Sequence, residues 1–325
     1  MKPPKDLVLA LSGGIGGAKL ALGLSRILTA GQLHVVVNTA DDFDHLGLRV
    51  SPDIDTMLYT LAGLENPATG WGRRDETWNF LKALDALGGA TWFRLGDSDL
   101  ATHVERTRRL RAGDTLAQVT ADFARRLEIA TCIIPMSDDD VRTKVRTPDG
   151  WLDFQNYFVE HKCEPRVLEL RFEGAGSARP HPEVIRLLSH PALRAVVICP
   201  SNPFISIDPI LALPGMRKAI EQTRAPVVAV SPIIGGKAIK GPTAKMMGEL
   251  KLEVSAAAVA ERYDDLIDGF VLDPTDAPSA ANIRVATFQE SALMITIEDR
   301  ERLARAVLRA ADSLKAHGLA RHARG

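Results

Sequence analysis

Residues 5–20 read KDLVLALSGGIGGAKL, an apolar run followed by a glycine cluster and a lysine. Leu7-Val8-Leu9-Ala10-Leu11 has the continuous apolar character of a parallel strand buried on both faces. Ser12-Gly13-Gly14-Ile15-Gly16-Gly17 lets the backbone turn sharply and approach a ligand, and helical spacing resumes at Ala18. Amides at such a helix start face an anion, so Ser12, Gly13, Gly14 and Lys19 are candidate phosphate-binding residues. The pattern is neither a Walker loop, since Leu20 follows Lys19, nor a dinucleotide fingerprint, which needs a glycine where Lys19 stands.

Carboxylates form the second set of candidates. In Val50-Ser51-Pro52-Asp53-Ile54-Asp55, Ser51 reads as an N-cap with Pro52 at the first helical position. Asp53 and Asp55 then lie in the first turn, where they complement the helix dipole or meet a ligand. Asp41 and Asp42 follow a predicted strand as candidate metal ligands, and Ser137-Asp138-Asp139-Asp140 is a similar acidic run.

The elements that must position these residues alternate along the chain. His34–Thr39, Ala195–Cys199, Pro226–Val230 and Phe270–Asp273 read as further strands, most of them emptying into loops rich in Gly, Ser, Asn, Asp or Pro. That is how a doubly wound sheet builds a site at the carboxyl ends of its strands. The fold expected is α/β, a doubly wound, mostly parallel Rossmann-like sheet in a single domain spanning 1–325. An insertion at about 63–165 is expected to cover the site, with helices near Glu76–Leu87 and Asp99–Leu110 and a hairpin around Asp149-Gly150. Asn38 stands at the second strand's end, placed to hydrogen-bond a ribose, phosphate or base edge, and Asn202, Ser231, Thr243 and Lys245 lie in or beside later loops, placed to bind a nucleotide and its phosphates. A charged amphipathic helix is predicted over Ile297–Leu319, its Arg and Lys residues forming a solvated face.

With 325 residues and 46% hydrophobic content, the chain can bury a large core. Its 40 basic and 41 acidic side chains offer no global field for nucleic acid or anionic lipid. No apolar run is long enough to span a bilayer, and MKPPKD lacks a signal-peptide hydrophobic region, so a cytoplasmic protein is expected. Cys132, Cys163 and Cys199 are few and widely spaced, as ordinary reduced cysteines.

The blocks SGGIGGAKL, VVVNTADD, SPDIDTMLY, RLGDSDLATH, IIPMSDD, PSNPFISIDPILALPGMR and SPIIGGKAIKGPTAKMM occur in this order over nearly the whole chain. Together they resemble the 2-phospho-L-lactate transferase family of deazaflavin coenzyme (F-420) biosynthesis. The resemblance implies a magnesium-dependent transfer of a phospho-three-carbon-acid group from a guanylylated diphosphate donor to 7,8-didemethyl-8-hydroxy-5-deazariboflavin, with release of GMP. The three-carbon acid is left open among phospholactate, phosphoenolpyruvate and 3-phosphoglycerate. The resemblance also implies that Asp55 contacts the deazaflavin, orienting the acceptor and serving as a candidate general base or metal ligand. Arg94 is expected to stack on and hydrogen-bond the same acceptor, and a homodimer is expected.

A related family of non-catalytic, nucleotide-sugar-binding metabolic regulators shares a similar glycine loop. It carries an NTADDGGS-type second loop, whereas this chain has Asp42-Phe43-Asp44-His45-Leu46-Gly47 and the RLGDSDLATH block, departures that favour the enzyme.

Overall fold

The computed structural model describes residues 6–238 and 241–319. The N-terminal residues 1–5, and Ile239 and Lys240 of the SPIIGGKAIKGPTAKMM block, lie outside the described residues.

The central sheet has seven strands: β1 (Leu7–Ser12), β2 (Leu33–Val37), β3 (Cys132–Pro135), β4 (Leu193–Ile198), β5 (Val227–Val230), β6 (Gly269–Leu272) and β7 (Ala286–Gln289). Their spatial order is β7-β6-β5-β4-β1-β2-β3, and every adjacent pair is parallel. β1 lies near the middle, with Leu11 opposite Val36 on one side and Ile198 on the other. Its apolar run divides between two cores, as a period of two requires. Leu9 and Leu11 join Val36, Val196 and Ile198 on one face, while Val8 and Ala10 join Val35, Val37, Ala195 and Val197 on the other. Each fully buried Val or Leu contributes roughly 1.5–3 kcal/mol of transfer free energy.

Helix α1 covers Gly14–Ile27, four residues earlier than the sequence suggests: Gly14, at a φ of +62°, turns the chain into it, and Ile15, Gly16 and Gly17 continue as its first turn. The C-terminal helix Ile297–Ala316 opens with a Thr296–Asp299 capping box and packs against α1. The approach is close enough that a Cβ on Gly23 would lie 2.1 Å from the Arg300 carbonyl oxygen. Arg300 departs from the expected solvated face: it is buried and pairs with Glu65 at 2.9 Å.

The interval 63–165 is not wholly an insertion, since it contains β3, a strand of the main sheet. Helices α3 (Asn79–Ala86) and α4 (Asp97–Arg111) fall near the predicted spans, after α2 (Pro52–Leu61). The expected hairpin joins Arg142–Thr147 to Gly150–Asp153. Glu169–Glu173 adds a third strand that the sequence analysis missed. This small sheet reaches the carboxyl end of β2: Thr143 N donates to Ala40 O at 2.7 Å, and Gln155 Nε2 to Asp41 O at 3.2 Å. A further hairpin, Phe43–His45 with Leu48–Val50, turns at Leu46 and Gly47, both at positive φ.

Candidate active site at the strand switch

Strand order reverses between β1 and β4, so the connections leaving them run to opposite sides and open a crevice at their carboxyl ends. The glycine turn sits there. Ser201, just beyond β4, accepts from Gly13 N at 3.2 Å and donates to Gly13 O at 2.8 Å, clasping the two strand ends together. The glycines are required by this packing. A Cβ on Gly16 would lie 2.3 Å from the Pro200 carbonyl oxygen, and one on Gly17 would lie 2.1 Å from Ser12 Oγ. Gly14 differs: its φ is +62° and the nearest neighbour of a Cβ is Asp53 Oδ1, at 4.0 Å, so a side chain there would point into open space.

Beside the crevice, the end of β2 and the first turn of α2 bring four aspartates together. Asp53 Oδ1 accepts from Gly14 N at 2.8 Å, occupying the first amide of α1, and its Oδ2 accepts from Asn38 Nδ2 at 2.9 Å. The rest of the Asn38 amide also stays inside the protein, contacting Ile205 O at 3.2 Å and accepting from Ala40 N at 3.0 Å. Asp42 Oδ2 accepts from Ser51 Oγ at 2.7 Å. Burial pushes the Asp42 carboxyl up to about 7, against the opposing effect of the Ser51 hydroxyl and of Arg106. Burial likewise raises Asp53 to about 6, and burial together with the charge of Asp53 raises Asp41 well above the ordinary carboxylate range.

Asp55 is 5% exposed and faces inward. Both of its oxygens meet the guanidinium of Arg106 from α4, with Nη1 to Oδ2 at 3.1 Å. His103 lies alongside, its Nδ1 3.7 Å from Asp55 Oδ2 and its Nε2 3.3 Å from Asp99 Oδ2.

Magnesium takes oxygen ligands, commonly one or two carboxylates with substrate phosphates completing the shell. Asp41 Oδ1 and Asp42 Oδ1 are buried with no hydrogen-bond partner among the described residues, which suits such an ion. Asp55, turned onto Arg106, does not present a free oxygen to it. Among the described residues no group of three or more His, Cys, Asp or Glu side chains forms a metal-holding cluster.

Other expected residues are placed unevenly. Ser12 is buried beneath Gly17. Lys19 Nζ donates to Met294 O at 2.9 Å, holding α1 to the segment before the C-terminal helix. Asn202 caps its own turn through Phe204 N at 2.9 Å, and Ser231 bonds Ile233 O at 3.0 Å, both as turn chemistry. Thr243 is buried at the start of the helix Thr243–Glu249. Lys245 is held by Pro165 O at 3.0 Å and Glu249 at 2.6 Å, tying this helix to the segment between the second and third strands of the small sheet. Arg94 is exposed, its guanidinium 4.3 Å from the Trp78 ring centroid. Sequence reasoning missed the Ser201 clasp and Arg106. It also read Asp53 chiefly as a dipole partner, where the structure shows a link between α1 and β2.

The family model for 2-phospho-L-lactate transferase CofD matches residues 8–312. A phosphoenolpyruvate transferase of Kitasatospora aureofaciens is 39% identical over 321 residues, covering 96% of this chain and 99% of that relative. A 2-phospho-L-lactate transferase of Methanosarcina barkeri is 39% identical over 269 residues, covering 83% and 86%. The fold is shared with a crystal structure of a UPF0052 family member from Bacillus halodurans, with a TM-score of 0.63 at 14% identity over 94% of this chain and 99% of that one. With its seven-stranded parallel sheet and its glycine turn at the strand switch, the chain belongs to the 2-phospho-L-lactate transferase CofD family and is a transferase.

Proposed function

We propose that this chain transfers a phospho-three-carbon-acid group from a guanylylated diphosphate donor to 7,8-didemethyl-8-hydroxy-5-deazariboflavin, releasing GMP, in coenzyme F-420 biosynthesis. The observation that carries the reading is the crevice between β1 and β4, where the first turn of α1 opens beside a cluster of under-satisfied aspartates. A helix start is a ready anion site, and the amides of Ile15 and Gly16 follow Gly14 in that turn. In this reading those amides receive the donor diphosphate. Asp41 and Asp42 would hold magnesium, which supplies positive charge to the phosphate oxygens when bound.

The chain's own contribution is positioning. Ser201 and the tightly packed glycines fix the anion seat before a ligand arrives, so little reorganisation accompanies charge development. The acceptor lies on the α2 side, where Asp55 shapes the wall and Arg94 offers a flat cation for a flat ring. Relatives carry the names of both phosphoenolpyruvate and phospholactate transferases. The donor acid is therefore assigned only as a phosphorylated three-carbon acid, because a single methylene is worth about 1–3 kcal/mol in a pocket. Incubation with the deazaflavin, magnesium and each guanylylated acid, followed by mass identification of the product, tests the assignment. The expected result is GMP with the corresponding deazaflavin phosphodiester. Absence of product with all three acids contradicts it. Among the described residues no helix is long and apolar enough to cross a membrane.

A further inference from the structure

We propose that Arg106 is a positioning residue for the transfer: from α4 it holds Asp55, and through Asp55 it sets the first turn of α2 that delivers Asp53 to the glycine turn. This inference rests on the transferase reading above.

Among the described residues Arg106 is the largest fully buried side chain, 1% exposed, and it carries a charge. Its fork meets both oxygens of Asp55, and Nη1 also lies 3.3 Å from His103 Nδ1 and 3.4 Å from Arg49 O. Below it, Tyr59 donates to Asp99 at 2.6 Å, bracing α2 against α4 a second time. Apolar contacts could join two helices without the cost of burying an ion pair. What a two-pronged guanidinium adds is orientation, because it fixes the carboxylate plane as well as its distance.

The fixed turn has consequences. Ser51, the residue before α2, donates to Asp42; Asp53, two residues before Asp55, joins Gly14 N and Asn38. One helical turn thus sets the groups at the end of β2 and the start of α1, and its register is pinned at Asp55.

The test uses the full chain. Turnover of deazaflavin with the guanylylated acid it accepts is measured for wild type, Arg106→Lys, Arg106→Gln, Asp55→Asn and the double variant Arg106→Gln/Asp55→Asn, with thermal melts to confirm folding. If the pair acts as one positioning unit, kcat falls about 100-fold in each single variant, KM for donor and acceptor changes little, and the double variant is no worse than the poorer single. Arg106→Lys keeps charge and volume without the fork, so it serves where Arg106→Gln does not fold. Wild-type kcat in folded Arg106→Lys, or losses that multiply in the double variant, overturns the proposal.

A second readout does not need the reaction. The Gly14 amide resonance, hydrogen-bonded to Asp53, shifts in Arg106→Lys if Arg106 sets that turn, and an unmoved resonance also overturns the proposal. Wild-type protein that turns over no guanylylated acid defeats the transferase reading instead, and the Gly14 resonance still decides the role of Arg106.

Discussion

The two sides of the crevice are built in opposite ways. On the β1–β4 side, polar groups satisfy one another: Ser201 uses its hydroxyl both as donor and as acceptor, and Gly13, Gly16 and Gly17 lie where a neighbour leaves no room for a side chain. On the β2–α2 side, carboxylates are crowded and buried, and two of their oxygens have no hydrogen-bond partner among the described residues. The first side is a rigid seat whose stability comes from packing. The second holds like charges in a low-dielectric environment, a cost tolerated where a bound cation or ligand relieves it.

Substitutions should therefore change stability with opposite signs on the two sides. Gly16→Ala places a Cβ against backbone that cannot rotate away, and should destabilise the fold by about 1–3 kcal/mol in a urea titration. Little change would show that the turn is looser than its geometry indicates.

Asp42→Asn should stabilise, by up to about 4 kcal/mol at pH 8 without magnesium. The sign follows from proton binding. A carboxyl raised to about 7 in the folded state holds its proton there while the unfolded chain releases it near 4, so its contribution to stability falls as pH rises from about 4 to about 7. Asparagine removes that slope. Thermal melts at pH 4.5 and 8 check it: the variant should gain at pH 8 and not at pH 4.5, whereas equal gains at both would implicate packing rather than charge.

A smaller effect is expected at the periphery. Arg94→Ala should weaken deazaflavin binding about threefold and leave GDP binding unchanged, since an exposed cation over a ring contributes about 0.5–1 kcal/mol. Fluorescence titration and GDP competition separate the two, and equal losses would point to a general disturbance of the loop.

The contrast between the two sides also explains what could be read from sequence. β1 was legible because a strand buried on both faces is a continuous apolar run. β3 and β7 were not: Cys132-Ile133-Ile134-Pro135 is short and ends in proline, and Ala286-Thr287-Phe288-Gln289 lies at the sheet edge, only partly buried. The glycine turn stood out, yet much of its glycine content answers to neighbours distant in sequence, Pro200 and Ser201, that spacing alone cannot reveal. Arg106 was invisible for a related reason. It shares α4 with Arg108, Arg109 and Arg111, and only tertiary packing sets which arginine is buried and which are left on the outer turn.

In the proposed reaction the first turn of α1 is a preformed seat for the donor diphosphate. Isothermal titration of GDP, with magnesium, into wild type and Gly14→Asn tests it most directly. Asparagine tolerates the positive φ at this position, and its Cβ would meet nothing closer than Asp53 Oδ1, at 4.0 Å. The expected outcome is a folded variant that loses at least about tenfold in GDP affinity, roughly 1.4 kcal/mol, while its deazaflavin affinity is kept. A folded Gly14→Asn protein that binds GDP as wild type does would contradict it.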